Sequence, residues 1–168
     1  MTDATKDLTT RLNDTFKNLK RRTHAATVLV GASIIDQQLE FAILTKMRKL
    51  NRKVYEELFT GYGPLSSFSA KIAMAYALEL INGPARSRLS LLRKIRNEFA
   101  HSDDVNFSFE DPDARALMAS LAKDCTTGET EEQLYIWHLK QIEDMLVANA
   151  GPRVVVPGVS VRKQKRKK

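Results

Sequence analysis

The sequence predicts an all-α protein, a compact bundle of about six or seven helices followed by a disordered basic C-terminal tail. Three observations predict it. Apolar residues recur every three to four positions along most of the chain. No series of alternating apolar and polar residues marks a strand. Turn residues such as Gly61-Tyr-Gly-Pro64 and Asn82-Gly-Pro84 punctuate the periodic stretches. We read residues 1–151 as one helical domain and residues 152–168 as a flexible basic tail.

The first helix is expected over 4–20, where Leu8, Leu12, Phe16 and Leu19 repeat at helical spacing. A second, over 24–50, carries Val28, Ala32, Ile35, Leu39, Ala42, Ile43 and Leu50 on one broad face. A short helix follows at 53–59, and the glycine–proline turn ends it. Ser66 or Ser67 caps the next, which is expected to reach Ile81 and is apolar nearly all round, as a central helix would be. Pro84 suits the first turn of a helix over 84–101. Asp111-Pro112 opens another, to about Lys123, and the last spans roughly 130–148.

The net charge of +7 is unevenly spread. Residues 1–96 carry a balance of +9 and residues 97–151 a balance of −9. The tail holds seven Lys or Arg and no acid, so it supplies the whole excess. Arg162, Lys163, Lys165, Arg166, Lys167 and Lys168 are therefore expected to contact DNA or RNA. With no aromatic residue beside them they can grip phosphates without reading sequence. The acidic segment 97–151 is a second destination for the tail. Lys46 to Lys53 is a further basic cluster, read as a solvated helix end.

Cys125 is the only cysteine, which excludes an intramolecular disulfide and a cysteine-rich zinc site. His24 and His138 have no metal-ligand partner at helical spacing, so no metal and no cofactor are expected. Met1 to Lys6 has no apolar run of the signal-peptide kind, and charges interrupt the apolar stretches. A cytoplasmic protein without membrane contact is the expectation.

The stretch Leu91 to His101 is the most informative for chemistry. Arg93, Asn97 and His101 stand at spacings of four on the polar side of a helix whose other side holds Leu92, Ile95 and Phe99. Arg96 lies between the two sides, where a guanidinium needs a partner. Asp36 and Glu40 sit at the edge of the stripe on the long helix, so an ion pair of Arg96 with Asp36 or Glu40 is expected. The ordinary reading makes Arg96, Asn97 and His101 structural.

Arg96-Asn-x-x-x-His101 resembles the Arg-x(4–6)-His motif of HEPN domains, small helical bundles of which many are metal-independent ribonucleases that act as dimers. The resemblance implies His101 as the group that moves a proton, Arg96 as the phosphate holder and Asn97 as an orienting residue. On an unbroken helix Arg96 and His101 are about 140° apart. They converge only if the helix ends near Ala100 or if a symmetric homodimer supplies one of them.

A longer resemblance covers about residues 25–110. Gly31-Ala-Ser-Ile-Ile-Asp-Gln-Gln-Leu39, Leu58-Phe-Thr-Gly-Tyr-Gly-Pro-Leu-Ser-Ser-Phe-Ser-Ala-Lys-Ile72, Leu92-Arg-Lys-Ile-Arg-Asn-Glu-Phe-Ala-His101 and Phe107-Ser-Phe-Glu-Asp-Pro112 together resemble the bacterial mannitol operon repressor family. That resemblance implies an all-helical transcriptional regulator without an ordinary DNA-reading motif. No helix-turn-helix signature with a basic recognition helix is visible. The expected function is thus regulation of transcription through a protein partner or tail-assisted nucleic-acid contact. A metal-independent ribonuclease or toxin and a helical interaction module are the alternatives.

Overall fold

A computed structural model of the chain describes residues 3–104, 106–123 and 130–150, with side chains described from residue 13 onward. The described residues are all-helical: α1 (Asp3–Lys46), α2 (Arg52–Phe59), α3 (Phe68–Ala77), α4 (Gly83–His101), α5 (Pro112–Ala122) and α6 (Glu131–Asn149). Cys125 and the tail residues Arg162, Lys163, Lys165, Arg166, Lys167 and Lys168 lie outside the described residues.

The two helices expected over 4–20 and 24–50 are one. Lys20-Arg-Arg-Thr23 contains no glycine or proline, and Thr23 Oγ1 donates to the Leu19 carbonyl at 3.0 Å, a bond that a continuing helix accommodates. The helix stops at Lys46 rather than Leu50. Asn51, extended and bonded through its side chain to the Val54 N–H at 2.9 Å, starts α2 at once and leaves no room for another turn.

At 1.5 Å per residue, α1 is roughly 66 Å long, and its partners α6 and α4 are less than half that. They cover only its C-terminal part. Val28, Ile35, Leu39 and Ile43 are buried there, whereas Phe16 and Leu19 are 67% and 61% exposed. Within Asn13–Lys46, α1 is long and apolar enough to cross a membrane, which the charge interruptions did not lead us to expect. Its inner face is committed to the protein core.

α3 is shorter than the expected run to Ile81, and its outer face is not buried: Ala73, Tyr76 and Ala77 are exposed. It ends in a left-handed turn at Glu79, φ 57°, with Glu79 N–H donating to the Tyr76 carbonyl and Leu80 N–H to the Ala75 carbonyl. Glycine is usual at that position. Here the chain reverses so that Leu80 and Ile81 enter the core, and Asn149 Nδ2 at the end of α6 donates to the Leu80 carbonyl at 3.0 Å.

The core centres on Leu89, Leu92 and Ile95 of α4, Ile35, Leu39 and Ile43 of α1, and Tyr135 and Ile142 of α6. Tyr135 donates its hydroxyl to the Val28 carbonyl at 3.2 Å, across 107 residues of sequence. Between α4 and α5, Phe107 and Phe109 pack on Phe99 with ring centroids 4.9 and 5.1 Å away. Arg21 of α1 holds this connector by donating to the Asn106 carbonyl and to Glu110.

Candidate functional site

The carboxylates expected to hold Arg96 hold a different cation. Lys71 Nζ of α3 lies 2.9 Å from Asp36 Oδ2 and 2.7 Å from Glu40 Oε2, and the lysine is 4% exposed. Tyr55 of α2 donates its hydroxyl to Glu40 Oε1 at 2.5 Å. Four residues from three helices thus form one buried polar junction. Burial pushes the Lys71 ammonium down, but the hydrogen bonds to Glu40 and Asp36 and the attraction of both charges outweigh it, and its pKa is raised. Burial, then the bond to Glu40 and its charge, push the Tyr55 hydroxyl up to about 12. The expected ion pair of Asp36 and Glu40 with Arg96 is therefore corrected: Lys71 fills the place. Lysine suits it because a compact ammonium with three donors satisfies two carboxylates at once.

Arg96 is exposed and donates from Nη1 to Asn97 Oδ1 at 3.2 Å. His101 is the last residue of α4 and is exposed. The helix runs on past Ala100 to include His101, and Ser102 N–H still donates to the Glu98 carbonyl at 3.0 Å. Arg96 and His101 of one chain consequently point about 140° apart.

What the sequence places on one side of α4 is wider than this motif. On a helical wheel Arg86, Ser90, Arg93, Lys94, Asn97 and His101 fall within about 100° of one another, opposite the buried Ile95, with Arg96 on the flank. Among the described residues, Arg86, Arg93, Lys94 and Arg96 have no carboxylate at salt-bridge distance. Elsewhere, Arg21, Arg52, Lys53, Lys71 and Lys140 each have one. The only acid on α4 is Glu98.

The N-terminal half of this face borders an open groove of about 630 Å³ lined by Tyr76 of α3 and by Gly83, Arg86, Ser87, Ser90, Leu91 and Lys94 of α4. The Arg86 guanidinium carbon sits 4.7 Å from the centre of the Tyr76 ring. Ser90 Oγ donates to the Arg86 carbonyl at 2.9 Å. No lining residue is acidic.

Sequence reasoning named Arg93, Asn97 and His101 but passed over Lys71, Tyr76 and Arg86. Lys71 was findable: it is the one charged residue in α3, whereas Arg96 shares its helix with four other Lys or Arg. Tyr76 and Arg86 belong to different helices, and their meeting depends on the left-handed turn at Glu79, which glycine statistics do not anticipate.

The segments that carry the family resemblance hold the fold together. Asp36 comes from the first and Lys71 from the second. Gly63 in the second is a close approach: a Cβ there would lie 2.5 Å from the Leu58 carbonyl oxygen and 2.6 Å from that of Glu57. Ser108 is buried, and its N–H and Oγ donate to Asp111 Oδ2 at 2.7 and 3.0 Å. His24 and His138 are buried core histidines, His24 lying 3.9 Å from Glu132. Among the described residues no group of three or more His, Cys, Asp or Glu comes together to hold a metal. No family model, curated protein or solved structure matches the chain.

Proposed function

We propose that the chain is a cytoplasmic transcriptional regulator resembling the mannitol operon repressor family, and that it contacts nucleic acid through the outer face of α4 together with its basic tail. One observation carries the reading: Arg86, Arg93, Lys94 and Arg96 stand along α4 with no carboxylate at salt-bridge distance, beside a groove whose lining holds no acid. Four such cations between Arg86 and Arg96, a span of roughly 15 Å, suit a phosphate backbone. The resemblance adds the regulatory role, and its segments supply the junction that ties α3 to α1 and the connector that packs on Phe99 of α4.

The test is binding of labelled duplex DNA and single-stranded RNA across a range of salt. Replacing Arg86, Arg93 and Lys94 together by Gln is expected to reduce the salt slope by roughly two. No binding to either polymer at low salt rejects the reading. An unchanged slope moves the contact to residues 152–168 or 46–53.

A second reading, a HEPN-type ribonuclease, is favoured by the exposure of Arg96 and His101, clear of Asp36 and Glu40, with the half-buried Asn97 bonded to Arg96. Because Arg96 and His101 diverge on α4, it requires two chains to close on one phosphate. Incubation with labelled RNA without metal, with His101→Ala as control, separates the readings. Cleavage lost in His101→Ala supports the enzyme, and retention without cleavage supports the regulator.

A further inference from the structure

We propose that the groove between α3 and the first half of α4 binds one nucleotide unit, a phosphate carrying a planar base. It rests on the nucleic-acid reading only where that unit belongs to a strand. The groove's volume falls in the range of small-ligand sites. Its chemistry divides in two. Arg86 and Lys94 supply positive charge, and Ser87, which makes no hydrogen bond through its hydroxyl among the described residues, supplies a free donor. The Ser90 hydroxyl hydrogen is already given to the Arg86 carbonyl, so Ser87 is the hydroxyl that can reach an incoming oxygen.

The other half is apolar. Tyr76 is 42% exposed and Leu91 is partly buried beside it. The Arg86 guanidinium is already stacked on the Tyr76 ring, which fixes the cation next to the aromatic surface instead of leaving it to wander in solvent. A planar base can extend that stack, and a phosphate one sugar away can meet Arg86 and Lys94.

The composition also excludes competitors. A cationic ligand meets two positive charges and no carboxylate. A sugar phosphate would satisfy the cations but bring no planar group to the Tyr76 and Arg86 stack. A purely apolar ligand would strip water from two cations without replacing it.

The nucleotide unit has two sources. A free nucleotide can occupy the groove alone. A single strand can place one nucleotide there while its backbone continues past Arg93 and Asn97 towards His101. The experiment measures binding of adenosine monophosphate, inorganic phosphate and a short labelled single-stranded RNA to the full chain. The variants are Tyr76→Leu, Arg86→Gln and, outside the groove, Arg93→Gln. All three side chains lie outside the buried core, so folding is expected to hold, and the denaturation midpoint checks it.

The nucleotide is expected to bind more tightly than inorganic phosphate. Tyr76→Leu should weaken the nucleotide roughly tenfold by removing a stacking face and leave inorganic phosphate unchanged. Arg86→Gln should weaken both, and Arg93→Gln only the strand. If the nucleotide binds no better than phosphate, or Tyr76→Leu binds it as the parent does, the proposal is overturned. Strand binding that responds to Arg93→Gln but not to Tyr76→Leu overturns this groove while the nucleic-acid reading stands. Nucleotide binding with no strand or duplex binding supports the groove and rejects that reading.

Discussion

Lys71 and Lys94 are the same side chain in two settings, one between two carboxylates inside the protein and one facing solvent with no acid at salt-bridge distance. The inner lysine could not stay charged there without Asp36 and Glu40, because a buried ammonium needs partners. The outer lysine needs none, since water solvates it, and it is free to exchange that water for a ligand's oxygens. The comparison separates cations that the fold consumes from cations that it offers.

Breaking the inner site should have the largest effect. Lys71→Met leaves two carboxylates facing each other across a largely buried junction, and we expect a loss of about 3 kcal/mol in denaturant unfolding. The partial exposure of Asp36 and Glu40 sets the figure at the low end of that range. Adding Asp36→Asn and Glu40→Gln to that variant should recover part of it. A loss below about 1 kcal/mol, the level of a surface pair, would erase the distinction between the two lysines.

A smaller effect is expected from Gly63→Ala, about 2 kcal/mol, because the new methyl meets two backbone carbonyls that cannot move aside. Gly31→Ala is the internal comparison. There the methyl meets the end of the Leu139 side chain, which can rotate away. Equal losses at the two glycines, by chemical denaturation, would show that the turn ahead of Lys71 is more yielding than its geometry implies.

Alkaline pH sharpens the comparison without mutation. Lys71 and Tyr55 both hold their protons more tightly in the folded protein than their ordinary values near 10.5 and 10.0. A raised folded pKa contributes stability that is complete below the unfolded value and is lost as pH rises through the folded one. The denaturation midpoint should therefore fall between about pH 10 and 12, and fall less steeply in Tyr55→Phe. A parallel fall in parent and variant would remove Tyr55 as a source and leave Lys71. The smallest effect belongs to the outer face: Arg93→Gln with Lys94→Gln should shift stability by less than about 0.5 kcal/mol. A larger loss would mean that these cations, too, hold the fold.

The sequence made the helices legible because periodicity, Asn82-Gly-Pro84 and Asp111-Pro112 mark their ends locally. α3 was overextended because the stop at Glu79 comes from burying Leu80 and Ile81, a tertiary gain that overrides the residue's own preference. The same kind of reason explains the misplaced counter-ion. Asp36 and Glu40 were read as the counter-ions of Arg96, but which cation faces them is a fact of packing. Arg96, beside Ile95 in sequence, turns outward and Lys71, beside Ile72, turns inward. The outer face of α4 was half visible, since Arg93, Asn97 and His101 share a spacing, while the groove needed a second helix.

The overhang of α1 has a consequence for how the molecule breathes. Its backbone hydrogen bonds run without interruption from a segment with exposed apolar side chains into one clamped by α6 and α4. An unsupported helical stretch of this length is marginal by itself, so its amides can open without the rest of the protein unfolding. Deuterium uptake along this one helix should then form a gradient, fast around Phe16 and slow around Leu39, with the change falling near Arg21, where the side chain first grips another part of the fold.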